Sequence, residues 1–505
     1  MDSDDTLALK VAKYHTVTNT YAGGDGGFDE AAAAGEAILF SDLDKYNYTD
    51  GLTATKALEV IGNGTAETTL AGGNLYMDGN DASFSNLTLD GMVFGAAATS
   101  IGVVGTGEEV NLSFSGVNFA DGKRVYGGAD ASESAVAAVG NITLALNDVN
   151  GGKARIFGAG RVADSASLIV GNIDITVSCA EGGSFTNLFA GADVTTGFSG
   201  SVKGKNVNTV IEGGTFTYAG NGSQLRGGES LQWDSTLTVN GGTFLHYVYA
   251  GAFSMGGKAT VDGDSTLIIN GGTFNAHVFG GCGANDSANG ANTLVSGEAG
   301  VIVNASDTTI TFNGNIYAGS MGTGNIGGGT SITFKGSGSN LTFATDSYVT
   351  GNSQMFKGTE QYVDGEQTLA FDNFSGDFGA NIHNGFSRIA ATGSNVAFTG
   401  KEQVKLNAVS SWEIEVGSAK AELALGDAKN NFRKDTLTLT FAEDAELGTD
   451  AWDVISGTET SLTGWDKFSS VNLAGEAATF ADGEWASDSY RLFRDGNILK
   501  LATIA

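Results

Sequence analysis

Three aspartates, Asp234, Asp264 and Asp307, each open a segment of the form Asp-[Ser/Thr]-Thr-[Leu/Ile], and each segment runs on to Asn-Gly at Asn240, Asn270 and Asn313. Like side chains recurring at such an interval stack about 5 Å apart if the segments pair in register. Carboxylates stacked that closely repel, so they must splay into water, share protons or hold a cation. Calcium is the ion that hard oxygen ligands suit. Asp and Asn are also turn formers, bonding the local backbone, and Asn tolerates the left-handed conformation. The Asn column therefore reads as structural. The Asp column is read first as strand-opening turn residues, with a calcium edge as the alternative, and no catalytic, cofactor-binding or metal-ligating residue is assigned.

The other candidates for chemistry are sparser. His246 and His277 lie on consecutive repeats but at different offsets from the aromatics Tyr249 and Phe279. Adjacent strand positions face opposite ways, so the two imidazoles are not expected to converge. His15 and His383 are isolated. Cys179 and Cys282 are too few for a disulfide framework and lie in no zinc-like spacing. About three coils separate them, roughly 14 Å along a stack, whereas a disulfide tolerates less than about 7 Å between Cα atoms. Four of the five tryptophans, Trp412, Trp452, Trp465 and Trp485, come late in the chain. They suit either a sugar-stacking platform or closure of an apolar end, and closure is the reading taken.

Positioning these residues requires repeated elements, and the chain is built of them. VGNITLAL at 139–146 returns as VGNIDITV at 170–177, and DSTLTVNGG at 234–242 returns as DSTLIINGG at 264–272. A Gly-Gly-Thr/Ser-Phe element recurs with its aromatic at Phe185, Phe216, Phe244 and Phe274. An apolar-aromatic pair followed by a small residue recurs at Val125-Tyr126, Ile156-Phe157, Leu188-Phe189, Val248-Tyr249, Val278-Phe279 and Ile316-Tyr317. Within a unit, short Thr/Val/Ile-rich runs alternate with period two and are broken by Gly, Asn or Asp, which is strand and turn chemistry. A unit of about 30 residues cannot bury its own apolar face, so units must stack. The predicted fold is all-β: a right-handed parallel β-helix, a solenoid of three short strands per coil.

Composition fits that fold and narrows the function. Of 505 residues, 77 are Gly and none is Pro, where roughly 25 prolines would be average. Nearly every strand N–H of a stacked coil is a ladder donor, and Pro has none to give. With 26 Lys plus Arg against 57 Asp plus Glu, the formal charge is −31. Such a surface repels phosphate backbones and anionic membranes, so neither nucleic-acid binding nor membrane insertion is expected. No apolar run is long enough for a membrane-spanning helix. Met1-Asp2-Ser3-Asp4-Asp5 has neither a basic nor an apolar leader region, so an exported protein is expected to have lost its signal peptide in this form.

FDEAAAAGEAILF at 28–40 reads as a short Ala-rich helix running into a strand, followed by TKALEVIGNG at 55–64, TTLAGGNLYM at 68–77 and FSNLTLDGMVF at 84–94. This stretch resembles the opening coils of pectin-lyase-like right-handed β-helices, in which a short helix plugs the open end. The late runs FDNFSGDFGANIHNGFSRI, NVAFTG, DTLTLTF, AWDVISG and YRLFRDGNILKLA, spanning roughly 371–502, resemble the closing coils of bacterial autotransporter passengers and related adhesins. Neither a translocating barrel nor a wall-sorting signal is expected in this form. The polygalacturonase pattern on this fold is not met: the only Asp-Asp pair is Asp4-Asp5, and His-Gly and Arg-Ile-Lys do not occur.

The organisation expected is an N-terminal cap and opening strand at 1–50, a repeat β-helix at 51–345, and a C-terminal solenoid section with a Trp-bearing cap at 346–505. The expected function, as the passenger resemblance implies, is a non-catalytic protein of the extracellular bacterial surface, adhesive or structural and self-associating, with no cofactor. A host surface or a polysaccharide is its conceivable partner. Two alternatives stand beside it: a subunit of an extracellular filament or sheath, and a polysaccharide lyase or glycoside hydrolase on a β-helix.

Overall fold

The computed structural model describes residues 14–17, 37–40, 45–48, 50–66, 68–96, 98–99, 103–105, 109–133, 135–195, 197, 199–284, 293–322, 325–354, 360–361, 363, 365–400, 403–416, 422–442 and 451–504. The chain is a parallel β-solenoid, with coils about 31 residues apart making about 11 turns. One coil shows the plan. Ser235–Val239 lies in a first sheet, which Thr243–Phe244 and Val248–Tyr249 continue. Phe253–Ser254 then joins a second sheet and Lys258–Val261 a third, before Ser265–Ile269 begins the next coil. Among the described residues the second sheet has seven strands and the third eight. The helix expected at 28–35 falls outside the described residues.

Alternation sorts each strand. In Ser235–Val239 the first, third and fifth residues are buried, and Ser265–Ile269 repeats the pattern. Val239 pairs with Ile269 and Leu237 with Leu267, so the inward rows of successive coils superpose and their apolar surface leaves water together. One inward column runs Leu237, Leu267, Val301, Ile332, Leu369, Ile389, Trp412, Leu437, Val471, every rung buried. It crosses the section boundary expected at 345 without a break. Among the described residues the second and third sheets end before it, at Gly283–Ala284 and Asn325–Ile326, and the later returns are shorter.

The carboxyl end changes its pairing. Ser470–Leu473 lies parallel to Thr436–Phe441 on one side and antiparallel to Glu476–Ala481 on the other. Glu484–Ala486, Tyr490–Asp495 and Ile498–Thr503 complete an antiparallel meander, whose last strand pairs back onto Trp452–Ser456. Ala474-Gly475 and Asp482-Gly483 turn the first two hairpins, all four at positive φ between 52° and 89°. Two successive positive-φ residues match the right-handed twist of the strands they join. The edge of the last parallel strand is thereby occupied.

Candidate functional site

The stacking confirms two rungs of each polar column and corrects the third. Asp264 N–H donates to Oδ1 of Asp234 at 3.0 Å, and the Glu298 N–H donates to Oδ1 of Asp264 at 2.8 Å. Each carboxylate thus accepts an amide of the next coil, the strand-opening turn role. The third rung is Glu298, because Ser265 pairs with Ala299. Asp307 instead precedes Ile310–Phe312, which pairs with Gly272–Phe274, a different leg of the coil. Likewise Asn270 Nδ2 donates to Asn240 Oδ1 at 2.8 Å, while Asn313 donates to Asn275 and not to Asn270. The Asp-Thr-Thr motif at 307 matches its predecessors as a string but enters the stack one leg later. Among the described residues no three His, Cys, Asp or Glu side chains are grouped to hold a metal ion.

The remaining candidates are also placed. His277 is level with Tyr247, since Val248 pairs with Val278, so His246 and His277 stand in different rows, as their offsets require. His277 Nδ1 accepts the Asn315 N–H at 3.0 Å, and the ring stacks on Tyr247 at 5.5 Å. Both cysteines are free thiols, and burial pushes each up to about 12. Trp412 is a core rung; its Nε1 donates to the Asp435 carboxylate at 3.0 Å. Trp485 Nε1 donates to the Trp465 carbonyl at 3.1 Å, and Trp452, Trp465 and Trp485 pack on the apolar end. A shallow recess of about 490 Å³ lies along the outer side of the early first-sheet strands. Its acids, Glu59 and Asp81, have no cationic side chain beside them in the lining.

The arrangement with most chemistry is one that sequence reasoning missed. The small residues after each apolar-aromatic pair, such as Gly127-Gly128, bend the chain so that the outward sides of the first and second sheets face each other. In that corner runs a separate aromatic core: Tyr76, Phe94, Tyr126, Phe157, Phe189, then Tyr249, Phe279 and Tyr317, all buried. Successive rings stack with centroids 5.0, 4.5, 5.5 and 6.2 Å apart from Tyr76 to Phe189. The coil that follows offers Gly220 where the next ring belongs, and Phe253 of the second sheet fills the gap, 6.2 Å from Phe189 and 5.3 Å from Tyr249.

Charged groups from the facing sheet sit against this column. Asp130, Arg161, Asp193 and Gln224 are consecutive rungs of the second sheet. Arg161 grips Asp130 through Nε at 2.6 Å and Nη2 at 2.5 Å, and Tyr76 donates its hydroxyl to the same carboxylate at 3.0 Å. Asp193, 1% exposed, accepts from Arg124 at 2.8 Å, Arg226 at 3.0 Å and the Tyr126 hydroxyl at 3.1 Å. The Arg161 guanidinium also lies 5.7 Å from the Phe94 ring centre, a cation–π distance. Burial, with Asp130 beside it, pushes the Tyr76 phenol up to about 12. These ion pairs tie the first sheet to the second over the buried aromatic column.

The fold defines the class: a parallel β-solenoid with a closed carboxyl end. No family model, curated protein or solved structure matches the chain.

Proposed function

We propose that this chain is a non-catalytic protein of the extracellular bacterial surface, adhesive or structural, of the kind its resemblance to autotransporter passengers implies. The observation that supports this reading most is repetition. Outward rows of the first sheet recur coil after coil on one continuously stacked core, so the molecule offers an extended face of repeated groups, suited to adhesion or lateral contact. Between a single rod and an end-to-end filament, the occupied edge at Ser470–Leu473 favours the rod, because an unpaired edge is what recruits another chain. Self-association then runs side by side. Repulsion from the net charge of −31 opposes it at low salt, and screening relieves that repulsion. Light scattering across a calcium and salt series is expected to show reversible growth in mass as ionic strength rises. A strictly monomeric species throughout, at high concentration, would remove self-association and leave an isolated adhesive rod.

A further inference from the structure

The aromatic corner holds more positive charge than its carboxylates neutralise. Four of the eight arginines of the chain, Arg124, Arg155, Arg161 and Arg226, gather there, although the chain as a whole is strongly acidic. Two carboxylates answer them. Asp130 is taken up by Arg161 and Tyr76, and Asp193 is shared by Arg124, Arg226 and Tyr126. Arg155 sits one rung along from Arg124 in the same row, and its guanidinium has no hydrogen-bond or ion-pair partner among the described residues. Its half-buried position is costly for a lone guanidinium. Burial first, then the neighbouring Arg124, lowers its pKa from the ordinary arginine value; Asp193 opposes this in part, and Arg226 adds to the lowering. A half-buried guanidinium among other arginines, with no carboxylate of its own, is a candidate for binding an anion.

We propose that this corner binds a phosphate dianion, seated on Arg155 and flanked by Arg124 and Arg226. Four guanidiniums less two carboxylates leave two positive charges, which a dianion balances and a single carboxylate would only halve. The guanidinium fork presents paired N–H donors in the geometry that phosphate oxygens accept. The buried rings beneath exclude water and so strengthen the attraction. The group arrives either as inorganic phosphate or as a phosphate monoester on a larger molecule.

The test is titration of the intact chain with inorganic phosphate, and separately with glycerol phosphate, at constant ionic strength, followed by calorimetry and thermal melting. Saturable binding is expected, weakened at least about tenfold in Arg155→Gln by loss of charged hydrogen bonds. Arg155→Lys, which keeps the charge and loses the fork, is expected to fall between them. In phosphate-free buffer Arg155→Gln should melt at or above the wild-type temperature, because it relieves repulsion from Arg124 and Arg226. A tighter monoester places the group on a larger ligand; equal or weaker monoester binding identifies the free ion. Absence of saturable binding, or equal phosphate affinity in Arg155→Gln, would overturn the proposal.

Discussion

Asp435 is a carboxyl whose surroundings oppose its charge. It is 5% exposed, and burial raises its pKa from 3.8 to about 6, against the lowering effect of the Trp412 indole N–H. The folded state therefore keeps a proton that the unfolded chain has lost between about pH 4 and pH 6. Stability is fullest below the lower value and falls as pH rises through the upper one. Asp435→Asn retains an acceptor for the indole without the ionisation. It is expected to be more stable than wild type at pH 7, on the order of 1 kcal/mol, with the two converging near pH 4. Denaturant midpoints measured from pH 4 to 8 check this, and parallel curves would contradict it. At this scale the sequence was a partial guide. Asp234, Asp264, Asn240 and Asn270 could be placed because their repeats are in step. Asp307 and Asn313 could not, because identical short strings can open different legs of a coil.

Elements carry the stacking, and at one join, where the outer aromatic row lacks a ring, the facing sheet completes it. A Cβ on Gly220 would come within 2.8 Å of the Phe189 ring, so the backbone there is already in contact with its neighbour. Phe253 arrives from the facing sheet to complete the row, and Gly283, opposite it, leaves room for Tyr249, whose ring lies 2.3 Å from where a Cβ would stand. Phe253→Ala is expected to cost about 3 kcal/mol, since the hole cannot be refilled from Gly220. Chemical denaturation measures this; a loss below about 1 kcal/mol would mean that the row closes up without it. The apolar-aromatic rows were legible because each rung repeats the same residue types. The charged corner was not: Asp130, Arg161 and Asp193 share no motif, and become neighbours of the Tyr126 row only when the coil bends between two sheets. The antiparallel closure was also unread, although Asp482-Gly483 and Asp495-Gly496 are hairpin signals, because strand alternation is the same in either direction of pairing.

For the whole molecule, the absence of Pro, the abundance of Gly and the period near 31 led to a solenoid, and the backbone ladders bear that out. First-sheet strands follow one another in parallel from Tyr14–Val17 to Ser470–Leu473, seventeen among the described residues, because shorter coils toward both ends add rungs to the about 11 turns of period near 31. At about 4.8 Å per strand spacing the stack is about 80 Å long. The hairpin on Ser470–Leu473 ends it there, which is why the molecule is read as a rod with side-by-side contacts. Electron microscopy of the purified chain, in low salt and then in high salt, tests that reading most directly. The account predicts rods of uniform length, about 80 Å, that gather laterally as salt rises. Filaments that lengthen end to end, or round particles without a long axis, would contradict it.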